Sequence, residues 1–430
     1  MTNNAELAER YGSALPSFLH LLHDEPVSID RGDGSYVWDV EGRRYLDFFG
    51  GVLTTMIGHA EPTVVAAVQE QAARVMHTST LYLSEPMISF AEDVARVSGI
   101  DDARVFFTPS GSEANDAALL MATVHRGSNQ ILAMRNSYHG RTFSAQAITA
   151  HRSWSSTSLT GLNVTFVQGG YRLRSPFRHL DDDAYTTACV DDLVQLIDMT
   201  TSGDVAAMIA EPIQGVGGFA VPPAGFFGAM GKVLSSHGIL FISDEVQTGW
   251  GRTGEHFWGY EAHGIVPDML TFAKGVGNGI TLAGVVGRAE IFDSIGTLQF
   301  STFGGNPLSA AAGRATLRRV LEDDLQANAL AMGRRLVDAL TPAVERADFV
   351  AELRGRGLMH ALEFVHPGSI EPDAARATAV LEACRDRGLL VGKGGLYGNV
   401  IRVTPMLNVT AAEIDEGAAA LVGALDAADA

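Results

Sequence analysis

The sequence predicts an α/β protein: a mainly parallel sheet with helices on both faces, followed by a smaller α+β domain. Three observations carry this expectation. Between Arg104 and about Arg288, short apolar runs alternate with helical patterns. The runs ARVFFT, QILAMR, VAAMIAEP, GILFISDE, DMLTFA and AGVVGR are continuous in hydrophobicity, as strands buried on both faces are. Beyond Asn306, helical and strand patterns mix in a shorter stretch.

Taken in order, Val27 to Phe49 holds short β-like runs (VSID, YVWDV, RYLDF) broken by Gly/Asp turns, a small meander. The patterns TVVAAVQEQAARVM and EPMISFAEDVARV read as helices. Residues 171–185, YRLRSPFRHLDDDAY, have the mixed charge expected of a surface insertion. After the strand region, PLSAAAGRATLRRVLEDD gives a long helix. The remainder places the strands of FVAELRGRGLMHALEF and NVIRVTP around the helix of AVLEACRDRG. The expected domains are 1–60 for the N-terminal segment, 61–310 for the large α/β domain and 311–430 for the small one.

Composition narrows the function. Apolar residues make up 46% and charged residues 19% of the 430, a globular profile. The formal charge of −19, with no basic stripe, argues against nucleic-acid binding. Two distant cysteines, Cys189 and Cys384, fit neither a disulfide framework nor a structural zinc site. The N-terminal stretch lacks the order of a signal peptide and no run approaches a membrane span, so the expected location is the cytoplasm.

The chemistry concentrates at strand ends. ILFISDEVQTGWGRTG closes an apolar run with Asp244 and Glu245, and the next strand ends in Lys274. Ligands collect beyond the carboxyl ends of parallel strands. A structural ion pair is one reading of Asp244 and Lys274. A pyridoxal-phosphate site is the other: the lysine forms a Schiff base with the cofactor aldehyde, and the carboxylate keeps the pyridine nitrogen protonated. That reading needs a phosphate site. FFTPSGSEANDAALLMA supplies a helix start with the hydroxyls of Ser110 and Ser112, although Ser110-x-x-Glu113 is also a capping box. Gly249 to Gly254 matches the G-x-G-x-x-G of dinucleotide folds. Its sequel is aromatic, glycine-interrupted and ended by Pro267, so a loop around the cofactor pocket is the better expectation.

Seven motifs in order, SGSEAN, YHGRT, EPIQGVGG, DEVQTGWGRTG, FAKGVGNG, STFGGNPL and IRVTPML, resemble those of class-III pyridoxal-phosphate aminotransferases. The 4-aminobutyrate and alanine–glyoxylate type 2 enzymes look most similar, and the likeness runs from about Gly34 to Leu407. The resemblance implies fold type I, with a sheet of the seven-stranded type. It also implies a homodimer, or a tetramer, with sites at the interface. Lys274 would be the Schiff-base lysine and proton carrier, and Asp244 the partner of the pyridinium nitrogen. Ser110, Gly111 and Ser112 would bind phosphate, Tyr138 would stack on the ring with His139 in the same set, and Gln247 would lie near the phenolic oxygen. Thr302 would reach the phosphate of the neighbouring subunit.

For substrates, the resemblance implies that Arg402 grips the α-carboxylate of a 2-oxo acid and that Glu211 neutralises Arg402 when the donor has none. Arg141 would hold a distal carboxylate, and Val52 stands where 4-aminobutyrate enzymes carry a branched apolar residue. This set favours an ω-amino acid donor and 2-oxoglutarate. EPIQGVGG, HFWG and RGRGLM instead look like the alanine–glyoxylate type, for which pyruvate or glyoxylate is expected. A glutamate-semialdehyde type aminomutase would share the cofactor site.

Overall fold

A computed structural model describes residues 3–429. After helix α1 (Asn4–Ala14), strands β1 (Ile29–Asp33), β2 (Tyr36–Asp39) and β3 (Arg44–Asp47) form the expected antiparallel meander. Three short strands bury little by themselves. Their sheet is completed from the far end of the chain, where Leu389 and Leu390 pair parallel to Leu46 and Asp47. Helices α2 (Pro62–Arg74) and α3 (Glu85–Val97) follow, each opened by a proline in its first turn, where the missing N–H costs nothing.

The large sheet has seven strands. In chain order they are β4 (Ala103–Thr108), β5 (Gln130–Met134), β6 (Asn163–Val167), β7 (Ala207–Ala210), β8 (Leu240–Asp244), β9 (Met269–Phe272) and β10 (Ala283–Arg288). Their spatial order is β4-β10-β9-β8-β7-β5-β6. β10 runs antiparallel to both neighbours and the other ladders are parallel. The continuous hydrophobicity of the runs has a direct cause in the layers. Ile131, Ile209 and Ile242 point to helix α4 (Gly111–Arg126), while Leu132, Met208 and Phe241 point to α5 (Asp182–Thr200) and α6 (Phe226–Ser236). Leu270, Phe272 and Val286 enter a third cluster with Phe90 and Val94 of α3.

Helix α7 (Pro307–Glu322) packs against α2 and α3 and leads into the long α8 (Leu325–Arg346). The second antiparallel sheet is built from β11 (Val350–Arg356), β12 (Met359–Phe364), β14 (Gly392–Gly394) and β15 (Val400–Val403), in the order β11-β12-β15-β14, with β13 (Leu389–Leu390) given to the N-terminal sheet. Helices α9 (Ala374–Asp386) and α10 (Ala411–Asp429) pack around them.

One segment meets expectation only in part. Within residues 171–185, Pro176, Arg178, His179 and Asp181 to Asp183 are exposed, whereas Tyr171 and Ser175 are buried and Tyr185 is on the inward face of α5. Two of its charges find protein partners, Arg172 in Asp182 and the Leu180 carbonyl, and Arg174 in Glu363.

Candidate active site

β8 and β9 are parallel neighbours, with Asp244 opposite Thr271, so the residues just past their carboxyl ends share one cavity of about 300 Å³. Ser110, Gly111, Ser112, Tyr138, His139, Glu211, Asp244, Gln247 and Lys274 all line it. Asp244 is 4% exposed and fixed from three sides. His139 Nδ1 and Asn115 Nδ2 each donate to its Oδ2 at 2.8 Å, and the Val246 N–H donates to Oδ1. Asn115 is itself locked: Nδ2 also donates to the His139 carbonyl, and Oδ1 accepts from Thr271 Oγ1 at 2.7 Å. A buried carboxylate held by donors on one side presents a fixed negative charge on the other.

Glu245, the second acid of the strand end, has a different fate. It is fully buried and accepts from Ser243 Oγ, Thr248 Oγ1 and the N–H groups of Gly259 and Tyr260. It pins the glycine-rich loop to β8. The glycines of that loop serve packing and lie outside the cavity. A Cβ on Gly249 would sit 2.6 Å from the Trp258 ring, and one on Gly254 2.7 Å from the α8 backbone. The expected loop around the cofactor pocket is therefore an aromatic plug behind it.

Lys274 takes a left-handed conformation (φ 51°) where the chain turns out of β9, and the following Gly275 leaves no room for a side chain beside Met56. Burial pulls its ammonium below the usual lysine range, against the opposing pull of Asp244 and Glu211, with Arg402 lowering it further. An amine so placed sheds its proton more readily and can carry one between neighbouring atoms.

At the other end of the cavity, α4 starts at Gly111. Ser110 accepts from the Glu113 N–H at 3.3 Å, so the N-cap half of the expected capping box forms without the reciprocal Glu113 contact, and the N–H groups of Gly111 and Ser112 still lack intrahelical acceptors. Gly140, at φ 133°, crosses so tightly over Ser112 that a Cβ would lie 2.4 Å from its Oγ. Within the cavity Gln247 Oε1 and His139 Nε2 are buried without protein partners. The cavity thus joins a dianion site, a fixed carboxylate, unsatisfied polar atoms and a depressed amine. These fit the phosphate, ring nitrogen and aldehyde of pyridoxal phosphate.

The substrate set is more scattered. Glu211 lies in the cavity, its carboxylate accepting from the Tyr138 and Gly215 N–H groups at 3.0 and 2.7 Å; burial pushes it up to about 7. It does not pair with Arg402. Arg402 is 6% exposed, held over the rings of Phe49 and Phe219, and donates from Nη2 to the Lys393 carbonyl. Its Nε and Nη1 have no partner. Val52, Arg141 and Thr302 are exposed and outside the cavity lining; the Arg141 N–H donates to Ser112 Oγ at 3.2 Å. The Tyr138 ring meets Trp154 edge-on. Asn115 was missed from the sequence. Its signal was a polar side chain between Ala114 and Ala118 on the inward face of a helix beginning in SEAN.

A seven-stranded sheet of this order, with a lysine and a carboxylate at adjacent strand ends and a helix start facing them, defines a fold type I pyridoxal-phosphate enzyme. The chain belongs to the class-III aminotransferases, whose family model matches residues 22–425. It is 38% identical to alanine–glyoxylate aminotransferase 2 homolog 2 of Arabidopsis thaliana, over 95% of this chain and 84% of that protein. It is 36% identical to the 5-aminovalerate aminotransferase DavT of Pseudomonas aeruginosa, over 98% of each. A PLP-bound amine transaminase from an uncultivated Pseudomonas species superimposes with a TM-score of 0.90 at 31% identity, covering 96% of this chain and 99% of that one. Pyridoxal phosphate is the cofactor and transamination the reaction. Among the described residues no helix is long and apolar enough to cross a membrane.

Proposed function

We propose that the enzyme moves an amino group from an ω-amino acid, of the 4-aminobutyrate or β-amino acid kind, to a 2-oxo acid in two half-reactions. The observation that carries this is Arg402. A guanidinium enclosed by two aromatic rings with Nε and Nη1 unsatisfied is costly unless an anion completes it. Burial already lowers it to about 10. The α-carboxylate of a 2-oxo acid is such an anion. Glu211, turned to the Tyr138 and Gly215 N–H groups, leaves that guanidinium free. Its swing toward Arg402 is the proposed step that admits a donor with no α-carboxylate. Arg141 is assigned to a distal carboxylate and Val52 to the wall opposite.

When bound, pyridoxal phosphate supplies an electrophilic carbon and a ring that takes up negative charge. The chain's own groups do the rest. Asp244 holds positive charge at the ring nitrogen, Lys274 moves the proton, and Gly111 and Ser112 anchor the phosphate. Single-turnover spectra with 4-aminobutyrate, β-alanine and L-alanine test the donor class. Conversion by L-alanine alone sinks the ω-amino reading.

A homodimer completes the proposal, with Thr302 reaching the partner's phosphate. In its support, Thr302 sits among exposed Leu298, Phe300 and Phe303, and Leu83 is 93% exposed. Apolar surface of this extent suits burial against a second copy. A cofactor-loaded monomer in sedimentation would contradict it. The cytoplasm is the proposed location.

A further inference from the structure

Two arginines, the buried Arg402 and the part-buried Arg354, share one face of the second antiparallel sheet and have opposite surroundings. Arg354 of β11 pairs with Ala361 of β12, and Ala361 with Arg402 of β15. Directly opposed residues project to the same side, so the guanidiniums start about 10 Å apart with only an alanine between. Arg402 is unsatisfied. Arg354 is saturated: Nη1 donates to Glu363 Oε2 at 2.6 Å and Glu352 Oε2 at 2.7 Å, while Nε and Nη2 both donate to the Gly218 carbonyl at 2.9 and 2.6 Å. Glu363 is fully buried and also accepts from Tyr171 and Arg174 at 2.6 and 3.2 Å. Two carboxylates therefore neutralise Arg354 and leave Arg402 as the guanidinium with donors to spare.

Gly218 ends the loop that Glu211 begins. Glu211 accepts from Gly215 within it, and the Gly395 N–H staples it again through the Val216 carbonyl at 2.9 Å. The loop lies flat on the sheet. A Cβ on Gly218 (φ 91°) would be 3.0 Å from Val400 Cγ2 and 3.1 Å from Arg354 Nη2.

We propose that Arg354 and Glu363 are positioning residues for substrate selection: they clamp the loop that carries Glu211 onto the sheet that carries Arg402. The span that Glu211 must cross to reach Arg402 is thereby set by a contact outside the cavity. This rests on the assignment of Arg402 to the α-carboxylate.

The test uses the holoenzyme and measures each half-reaction separately for Arg354→Met, Arg354→Lys and Arg402→Ala, with thermal midpoints alongside. Arg354→Met should weaken the apparent affinity for an ω-amino donor, whose entry needs Glu211 on Arg402, by about 10- to 100-fold, the scale of a misplacement of about an ångström. The constants for 2-oxoglutarate and pyruvate should move much less, and the cofactor spectrum should stay in place. Arg354→Lys keeps the charge against Glu363 but cannot make the double contact with Gly218. It should recover the midpoint without recovering donor affinity. If Arg354→Met does not fold, Gly218→Ala displaces the same loop from its other side and should give the same split. Equal losses in both half-reactions, or full rescue by lysine, overturn the proposal. Weakened oxo-acid binding in Arg402→Ala with no loss of donor affinity in Arg354→Met overturns the clamp alone. No loss in Arg402→Ala overturns the carboxylate assignment beneath it.

Discussion

The cofactor end and the substrate end of this site are built on different plans. Asp244 ends a strand of the packed sheet, Asn115 stands on the helix that follows β4 and His139 on the loop after β5, each locked to another by hydrogen bonds of 2.7–2.8 Å. Val52, Arg141 and Arg402, the residues proposed for substrate, come from separate segments, and none lines the cavity. Val52 lies in a left-handed turn, Gly50 to Leu53, with φ between 55° and 67° throughout. A branched residue there costs about 1–3 kcal/mol. The turn is held by Asp47, which accepts from the Phe49 and Gly50 N–H groups, and by the Thr404 N–H on the Phe48 carbonyl. The cofactor cavity is thus framed by the core, while the proposed substrate residues are spread over a strained turn at Val52, an exposed bend at Arg141 and strand β15 at Arg402.

If this division is correct, the largest effects come from the sheet. Lys274→Ala should remove transamination, a loss of about 10² to 10⁴-fold or more in steady-state turnover, since no other described amine lines the cavity. Retained turnover would move the chemistry away from the strand end. Asp244→Asn keeps shape and removes charge. It should lower kcat by about 10² to 10³-fold, the scale for losing one preorganised electrostatic group, with cofactor still retained. Near-normal turnover would make Asp244 a structural acid like its neighbour Glu245.

The substrate end should respond selectively. Arg402→Ala should cost about 2–5 kcal/mol in the acceptor half-reaction for every 2-oxo acid, because each carries the α-carboxylate. Arg141→Ala should weaken 2-oxoglutarate far more than pyruvate, which has no second carboxylate. Single-turnover rates for both acceptors check this, and equal losses would make Arg141 structural.

The same division governs what was legible in the sequence. Strand-end chemistry shows in linear order, because an apolar run stopping at Asp244 or Lys274 is a local event. β6, by contrast, is the polar-flanked NVTFV, only partly buried, and carries little periodic signal. The reversed direction of β10 depends on its partners β4 and β9, which no local pattern records. Asn115 and Glu245 are defined by partners far along the chain, as with Thr271 at 2.7 Å and Gly259 at 2.8 Å. Within 171–185 the inward roles of Tyr171 and Arg174 leave no local mark because Glu363, which they serve, lies almost two hundred positions downstream.

The smallest effect concerns Glu211, which belongs to both ends. Its folded carboxyl sits near 7, above the ordinary 4.5, chiefly because burial disfavours the charge and Asp244 adds repulsion, against the pull of His139. A raised carboxyl contributes stability that is fully present below pH 4.5 and is lost as the pH climbs through 7. Glu211→Gln cannot ionise. It forfeits one of the two backbone contacts, so it should be somewhat less stable than the native chain in acid. That deficit should shrink between pH 4.5 and 7 and then level off. The swing is on the order of 1–3 kcal/mol, given about 1.4 kcal/mol for each unit of displacement. Thermal midpoints of the two proteins at matched pH provide the measurement, and the difference between the curves is the quantity to read. A constant difference across that window would show that Glu211 is already ionised in the folded chain. The carboxylate would then be held charged against Lys274, and a swing toward Arg402 would have to break that pairing first.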